Sequence, residues 1–109
     1  MWADKSNYDG YWENNEMSGK GVFKWADGKV YHGEWLYNKM DGYGIFAYTN
    51  GAIFLGQHRN DKKTGYGIYI ESKKNQIFEG WWHNGKQHGL GIEKDANRKR
   101  AKYGLWENG

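Results

Sequence analysis

The sequence predicts an all-β fold, an extended single-layer antiparallel sheet built as a twisted meander of successive β-hairpins with about nine strands. Three observations support this prediction. An aromatic-glycine-aromatic pattern recurs with a period of 23 or 24 residues along the 109-residue chain. Within each period the patterned residues alternate, as side chains on one face of a strand do. Polar turn segments separate the patterned runs, and no segment has helical periodicity.

The clearest copy of the repeated unit spans residues 31–53, in which Tyr31, Gly33 and Trp35 occupy a first strand and Gly42 and Gly44 begin a second. The same spacing extends along the whole chain, so residues 1–109 are predicted to form one continuous array and a single domain. Its repeats are 8–30, 31–53, 54–77 and 78–101, with partial repeats at 1–7 and 102–109. Because both ends fall inside a unit, we expect a fragment of a longer array.

Turn chemistry is expected to define two edges of the sheet. Each hairpin should close through a polar turn, at residues 37–40 in the second repeat and 84–87 in the fourth. The Asp-Gly and Asn-Gly pairs at 27–28 and 50–51 are predicted as the tight, positive-φ turns between repeats. In the third repeat, residues 72–76 replace that turn with one residue more.

The glycines need a physical reason, because glycine in a strand costs roughly 0.5–1 kcal/mol relative to alanine. We expect bare backbone to give space for the Tyr, Phe and Trp rings of neighbouring strands to lie flat across the sheet. The aromatic pattern weakens towards the C-terminus, where His58 stands in place of Trp and Glu93 and Asp95 stand in place of rings.

The pattern Y-x-G-x-W, a short polar turn and G-x-G, repeated every 23 residues, resembles the membrane occupation and recognition nexus (MORN) repeat over nearly the whole chain. Choline-binding repeats have a similar length and composition, but this chain lacks their Gly-Trp openings and paired tyrosines. The resemblance implies a non-catalytic scaffold that binds a partner protein or a second copy. It also implies a cytoplasmic location with cytoskeletal or membrane association, as in ciliary spoke and junctional membrane proteins.

Composition further restricts the kinds of site and partner to be expected. There is no cysteine, which excludes disulfides and thiolate metal sites and fits a reducing compartment. Residues 1–53 carry five Lys and seven acidic residues, net −2, whereas residues 54–109 carry eleven Lys or Arg and six acidic residues, net +5. The C-terminal half is therefore the basic half.

Two groups of residues are predicted to bind a protein partner or a second copy. The rings on one face are expected to serve mainly in packing, although a partner can also use their outer surface. The opposite face should carry an apolar patch that a single layer leaves exposed. The candidates are Tyr8, Trp12, Tyr31, Trp35, Phe54, Phe78 and Trp82 on the aromatic face and Tyr43, Ile45, Tyr66 and Ile68 on the opposite face.

A basic cluster lies in two inter-repeat connections on the same predicted edge. The first interpretation is a solvated turn; the alternative is binding to anionic lipid such as a phosphoinositide, since each cation near a charged leaflet contributes about 1 kcal/mol. We do not expect nucleic acid as a partner, because the rings that would stack on bases are used in packing. The candidate lipid-binding residues are Lys73, Lys74, Arg98, Lys99, Arg100 and Lys102.

Neither catalysis nor a cofactor is expected. The four histidines fall at unrelated positions in the repeats, so no metal site is predicted. Glu93 and Asp95 point the same way on one strand but are interpreted as a solvated pair. A further alternative makes the array the regulatory or targeting arm of a larger enzyme, such as a lipid kinase.

Overall fold

The computed structural model describes the backbone of residues 5–95 and 100–106, and the side chains of 5–95 and 104–106. Nine strands form one open sheet in sequence order, each antiparallel to the next, which confirms the predicted all-β meander. The strands are β1 (Asn7–Glu13), β2 (Glu16–Lys24), β3 (Val30–Leu36), β4 (Lys39–Ala47), β5 (Ile53–Arg59), β6 (Lys62–Glu71), β7 (Gln76–His83), β8 (Lys86–Asp95) and β9 (Arg100–Trp106).

A row of glycines crosses the whole sheet, one from each strand. Each is the register partner of the next, from Gly10 on β1 to Gly104 on β9. Rings lie over this row: a Cβ built on Gly44 would overlap the Tyr31 hydroxyl and ring, and one built on Gly33 would stand 2.6 Å from the same hydroxyl. Glycine is therefore required here by close approach, as the sequence predicted.

The core lies on one side of the sheet, which we call the ring face. Tyr31 and Phe54 are completely buried there, and Tyr31 meets Trp35 edge to face with ring centroids 5.3 Å apart. Edge-to-face pairs of this kind add about 0.5–1.5 kcal/mol beyond the area they bury. The ring face thus supplies a core that a single layer otherwise lacks. Its buried members are Tyr8, Met17, Tyr31, Trp35, Met40, Phe46, Phe54, Phe78 and Trp82.

The turns differ from the sequence prediction in their conformations. Within the repeats the hairpins close through two-residue turns with both residues at positive φ, for example Tyr37 at 50° and Asn38 at 66°. This geometry is the type I′ turn. Between repeats, the Trp25 carbonyl accepts from Gly28 N at 3.0 Å, and Trp25 N donates to the Lys29 carbonyl at 2.9 Å.

The Asp-Gly pair at 27–28 therefore belongs to a three-residue loop, in which only the glycine has positive φ. The same holds at 50–51, where Gly51 N donates to the Tyr48 carbonyl at 3.1 Å. The prediction that these pairs form the tight positive-φ turns was wrong for Asp27 and Asn50. The longer connection after β6 is a short 3-10 turn, Ser72–Lys74, followed by Asn75 at φ 53°.

Some predictions concern residues outside the described ranges. Residues 1–4 of the partial repeat at 1–7 and residues 107–109 of the partial repeat at 102–109 are not described. Within the described ranges, no helix is long and apolar enough to cross a membrane.

Candidate functional site

The side of the sheet opposite the ring face, which we call the outer face, carries exposed apolar side chains. Tyr43 is 66% exposed, Tyr66 48% and Ile45 46%, and Ile68 is half-buried. Ile45 is the register partner of Leu55, and Leu55 that of Ile68. The four candidates predicted for this face therefore belong to one patch on neighbouring strands.

The outer face also contains apolar residues that the sequence analysis did not select. Trp81 is half exposed, and its ring packs edge to face on Tyr66 with centroids 5.8 Å apart. Trp81, Leu90 and Ile92 line a shallow depression of about 310 Å³ beside Tyr66. Strand alternation supplied the missing signal, because a residue next to a ring-face residue such as Trp82 must face the other way.

Two carboxylates on the outer face, those of Glu79 and Glu34, have partners within the sheet. Lys94 Nζ lies 2.8 Å from Glu79 Oε1, and the Tyr66 hydroxyl donates to Glu79 Oε2 at 3.1 Å. These two contacts, the lysine first, hold the pKa of Glu79 below its usual value. Glu34 Oε1 accepts a hydrogen bond from Tyr43 N at 2.7 Å. Carboxylates beside the exposed rings thus fix the rings and backbone in place.

Most of the candidates on the ring face are not accessible. Six of the seven are buried and form the core, and only Trp12, on the first strand, is half exposed. Their rings therefore stabilise the sheet. Their role in partner binding stays a prediction, and their burial is an argument against it. The buried six are Tyr8, Tyr31, Trp35, Phe54, Phe78 and Trp82.

His58 occupies the position in the third repeat that tryptophan holds in the others. Its ring lies 5.0 Å from Tyr31 and 5.3 Å from Phe54, in edge-to-face contacts like those of Trp35 and Trp82. Burial, with a smaller contribution from the nearby Lys63 charge, lowers its pKa to about 4. His58 is therefore a neutral ring at physiological pH.

Lys63 extends over the ring face instead of into solvent. Its Nζ lies 5.2 Å from the Tyr48 ring centroid, 5.4 Å from Phe54 and 5.6 Å from Trp82. Burial lowers the pKa of this ammonium, and three rings within cation-π range offset part of its lost hydration. The equivalent residues in the first two repeats are Met17 and Met40.

The basic cluster is described only in part. Lys73 and Lys74 are exposed in the 3-10 turn, and Lys74 Nζ lies 3.5 Å from Glu71. Arg100 and Lys102 have their backbone on β9, opposite Asp95 and Glu93, while Arg98 and Lys99 lie outside the described residues. In the described part of the chain, no group of three or more His, Cys, Asp or Glu residues is arranged to hold a metal ion.

Comparison with known families gives one match. The model of the MORN repeat matches residues 8–30, 31–53, 54–70 and 78–100, four consecutive repeats. The matched segments begin at Tyr8, Tyr31, Phe54 and Phe78, the rings that lie over the glycine row in each unit. No curated protein matches the chain.

Proposed function

The chain belongs to the MORN repeat family, and from this premise we propose that it is a non-catalytic module that binds a segment of a partner protein on its outer face. MORN repeats are in general interaction or membrane-binding modules without enzymatic activity. The observation that carries the proposal is the exposure of Tyr43, Ile45, Tyr66 and Trp81 on one face of a regular sheet.

Exposed aromatic side chains on a rigid support are suited to binding. Tyr and Trp bring a large contact area at low cost in conformational entropy and are enriched among binding hot spots. Glu79 already holds Tyr66 through its hydroxyl, and Trp81 packs against the same ring. The rings are therefore pre-organised, and a partner segment that covers them loses little side-chain freedom of this protein.

Site-specific photo-crosslinking in cells that express the protein tests this proposal. A photoreactive phenylalanine analogue replaces Tyr43, which is 66% exposed on the outer face, or Tyr37, which is 68% exposed in a hairpin turn. We expect a discrete protein adduct from the Tyr43 position alone. Equal adducts at both positions, or adducts at Tyr37 only, would contradict outer-face binding. Sedimentation of the purified chain shows whether the bound segment comes from a second copy.

Binding to anionic membranes is the second candidate, supported by the net charge of +5 in residues 54–109 and the exposed Lys73 and Lys74. Liposome sedimentation at about 0.15 M salt tests it, since surface charges act over about 8 Å under those conditions. Pelleting with phosphoinositide vesicles but not neutral ones, lost when Lys73, Lys74, Arg98, Lys99, Arg100 and Lys102 are changed to Glu, would support lipid binding. Equal behaviour of parent and variant would exclude this route.

A further inference from the structure

The ring face contains a cleft at the third repeat, where the repeat pattern changes. His58 replaces the tryptophan found as Trp12, Trp35, Trp82 and Trp106 in the other units. Imidazole is smaller than indole, and a cleft of about 360 Å³ has His58, Met40, Phe46 and Tyr48 among its lining residues. The cleft therefore lies beside the position at which the third repeat departs from tryptophan.

His58, one of the residues that line this cleft, has a buried polar atom without a partner. His58 is 2% exposed, and within the described part of the chain its Nδ1 makes no hydrogen bond. In the equivalent position, Trp35 donates from Nε1 to the Gly21 carbonyl at 3.3 Å, whereas Trp82 Nε1 also has no partner within the described residues. A buried polar group that has no partner is destabilising, so a ligand group that bonds to it gains affinity.

The charge around the cleft is unbalanced. Its lining includes Lys29, Lys62 and Lys63, against the single acid Asp61. Lys29 lies 3.4 Å from Asp27, and Asp61 accepts a hydrogen bond from Met40 N at 2.8 Å. Lys62 and Lys63 are the other two lysines of the lining. The neighbouring cleft, lined by Lys63, Lys86, Glu71 and Glu93, has equal numbers of both signs.

Aromatic walls, an unpartnered imidazole nitrogen and excess positive charge define one ligand chemistry. We propose that the cleft over His58 binds an aromatic side chain flanked by acidic residues, supplied by a segment of a partner protein. The ring packs against Phe46 and Tyr48, while carboxylates meet Lys62 and Lys63. The site lies on the face opposite the patch at Tyr43, so either site can fail its test without the other.

Calorimetric titration with a synthetic peptide tests the proposal. The probe is a capped pentapeptide with tryptophan at its centre and two aspartates on each side. One control peptide has lysines in place of the aspartates, and the other has alanine in place of tryptophan. We expect binding of the acidic tryptophan peptide with a dissociation constant below about 1 mM, and at least tenfold weaker binding of both controls.

Two variants locate the binding. His58→Trp restores the residue of the other repeats, fills the cleft and should abolish binding, whereas His32→Trp on the outer face should leave it unchanged. Lys63→Met introduces the residue of the first two repeats and should weaken the acidic peptide about tenfold, the effect of losing one charge-assisted contact. Exposed Lys39→Met is its matched control.

Amide chemical shifts of the unmodified protein provide a test that needs no variant. The peptide should shift the resonances of Met40, Tyr48 and Lys63 and leave those of Tyr43 and Tyr66 unchanged. Peptide binding that survives His58→Trp, shifts centred on the outer face, or no difference among the three peptides would each overturn the proposal.

Discussion

The junctions between the first three repeats differ from the junction between the third and fourth. At the first junction, Asn38 in a hairpin turn makes two hydrogen bonds to the preceding repeat. Asn38 N donates to the Met17 carbonyl at 3.2 Å, and Asn38 Oδ1 accepts from Met17 N at 2.8 Å. Asp61 makes the same pair of bonds to Met40 at the second junction. We call this arrangement the turn clasp.

At the third junction, glycine takes the place of the clasp residue. Gly85 N donates to the Lys63 carbonyl at 3.0 Å, but glycine has no side chain to make the second bond. The ring face also changes beyond this junction, within the fourth repeat, because Glu93 on β8 pairs with Phe78, where Phe46 pairs with Tyr31 in the second repeat. The glycine row and the backbone ladder nevertheless continue to β9. Backbone pairing thus defines the fold, while rings and clasps determine how strongly each junction holds.

The largest expected effect comes from removing a ring at the second junction, between the second and third repeats. Phe54→Ala should lower the free energy of unfolding by about 3–5 kcal/mol, because a completely buried ring leaves a cavity. Phe78→Ala should cost less, since Phe78 pairs with Glu93, whereas Phe54 pairs with Tyr69. Denaturant unfolding of both variants measures the difference. An equal loss in both would mean that the two junctions contribute alike.

Acidic pH should lower the free energy of unfolding through His58, which lies at the second junction. The pKa of His58 is about 4 in the folded protein and 6.5 in an unfolded chain, so the unfolded state binds more protons between those values. The contribution of neutral His58 is complete above about pH 6.5 and falls by up to about 3 kcal/mol as the pH approaches 4. Thermal unfolding at several pH values, compared with His58→Trp, isolates this term. A variant with the same pH profile would refute it.

The loss of stability caused by a Gly→Ala substitution in the glycine row should depend on the position of the glycine. Gly44→Ala should destabilise the protein by about 2–3 kcal/mol, because the new Cβ overlaps the Tyr31 ring, which is fully buried and cannot move aside. Gly104→Ala is the matched control, because its Cβ would lie 3.4 Å from Trp106, an ordinary contact. Urea midpoints of the two variants test the contrast. Similar losses would show that chain entropy, not ring overlap, explains the glycines.

The smallest expected effect is the exchange of clasps. Asn38→Gly should lose about 1 kcal/mol with the turn conformation retained, since it removes one hydrogen bond and keeps a residue that accepts positive φ. Gly85→Asn should gain about 0.5–1 kcal/mol, because a Cβ at Gly85 meets no atom within 4 Å and asparagine tolerates its φ of 84°. Hydrogen exchange of β7 and β8 amides would reveal the gain as slower exchange. Unchanged rates would show that the clasp contributes nothing.

The repeat pattern was sufficient to predict the fold, but not the turn types. Period and alternation fix the strands and the face of each ring, and the glycines follow from the rings. Asp-Gly and Asn-Gly occur in both two-residue and three-residue loops, so the pairs at 27–28 and 50–51 did not determine loop length. The register shifts lie instead in the hairpins within the repeats, for example between Gly33 and Trp35, opposite the positive-φ glycine Gly42. The recurring glycine at that position was therefore a signal for a β-bulge that the sequence analysis did not use.

The candidate surfaces were predictable to a similar extent. Tyr43, Ile45, Tyr66 and Ile68 were found because alternation places them on one face. Trp81 was missed because its neighbour Trp82 satisfied the repeat pattern. His58 was noted as a departure from the pattern, but the cleft beside it depends on the path of Lys63 across three rings, which residue spacing does not specify.

The glycine row also means that the length of the array grows in fixed increments. Every unit contributes two strands in the same register, and strands lie about 4.8 Å apart, so each whole unit adds about 9.6 Å without altering the packing of its neighbours. Gene duplication can therefore lengthen such an array only in these fixed increments. A gain or loss of a few residues inside a strand would instead move a ring off its glycine, and selection should remove it.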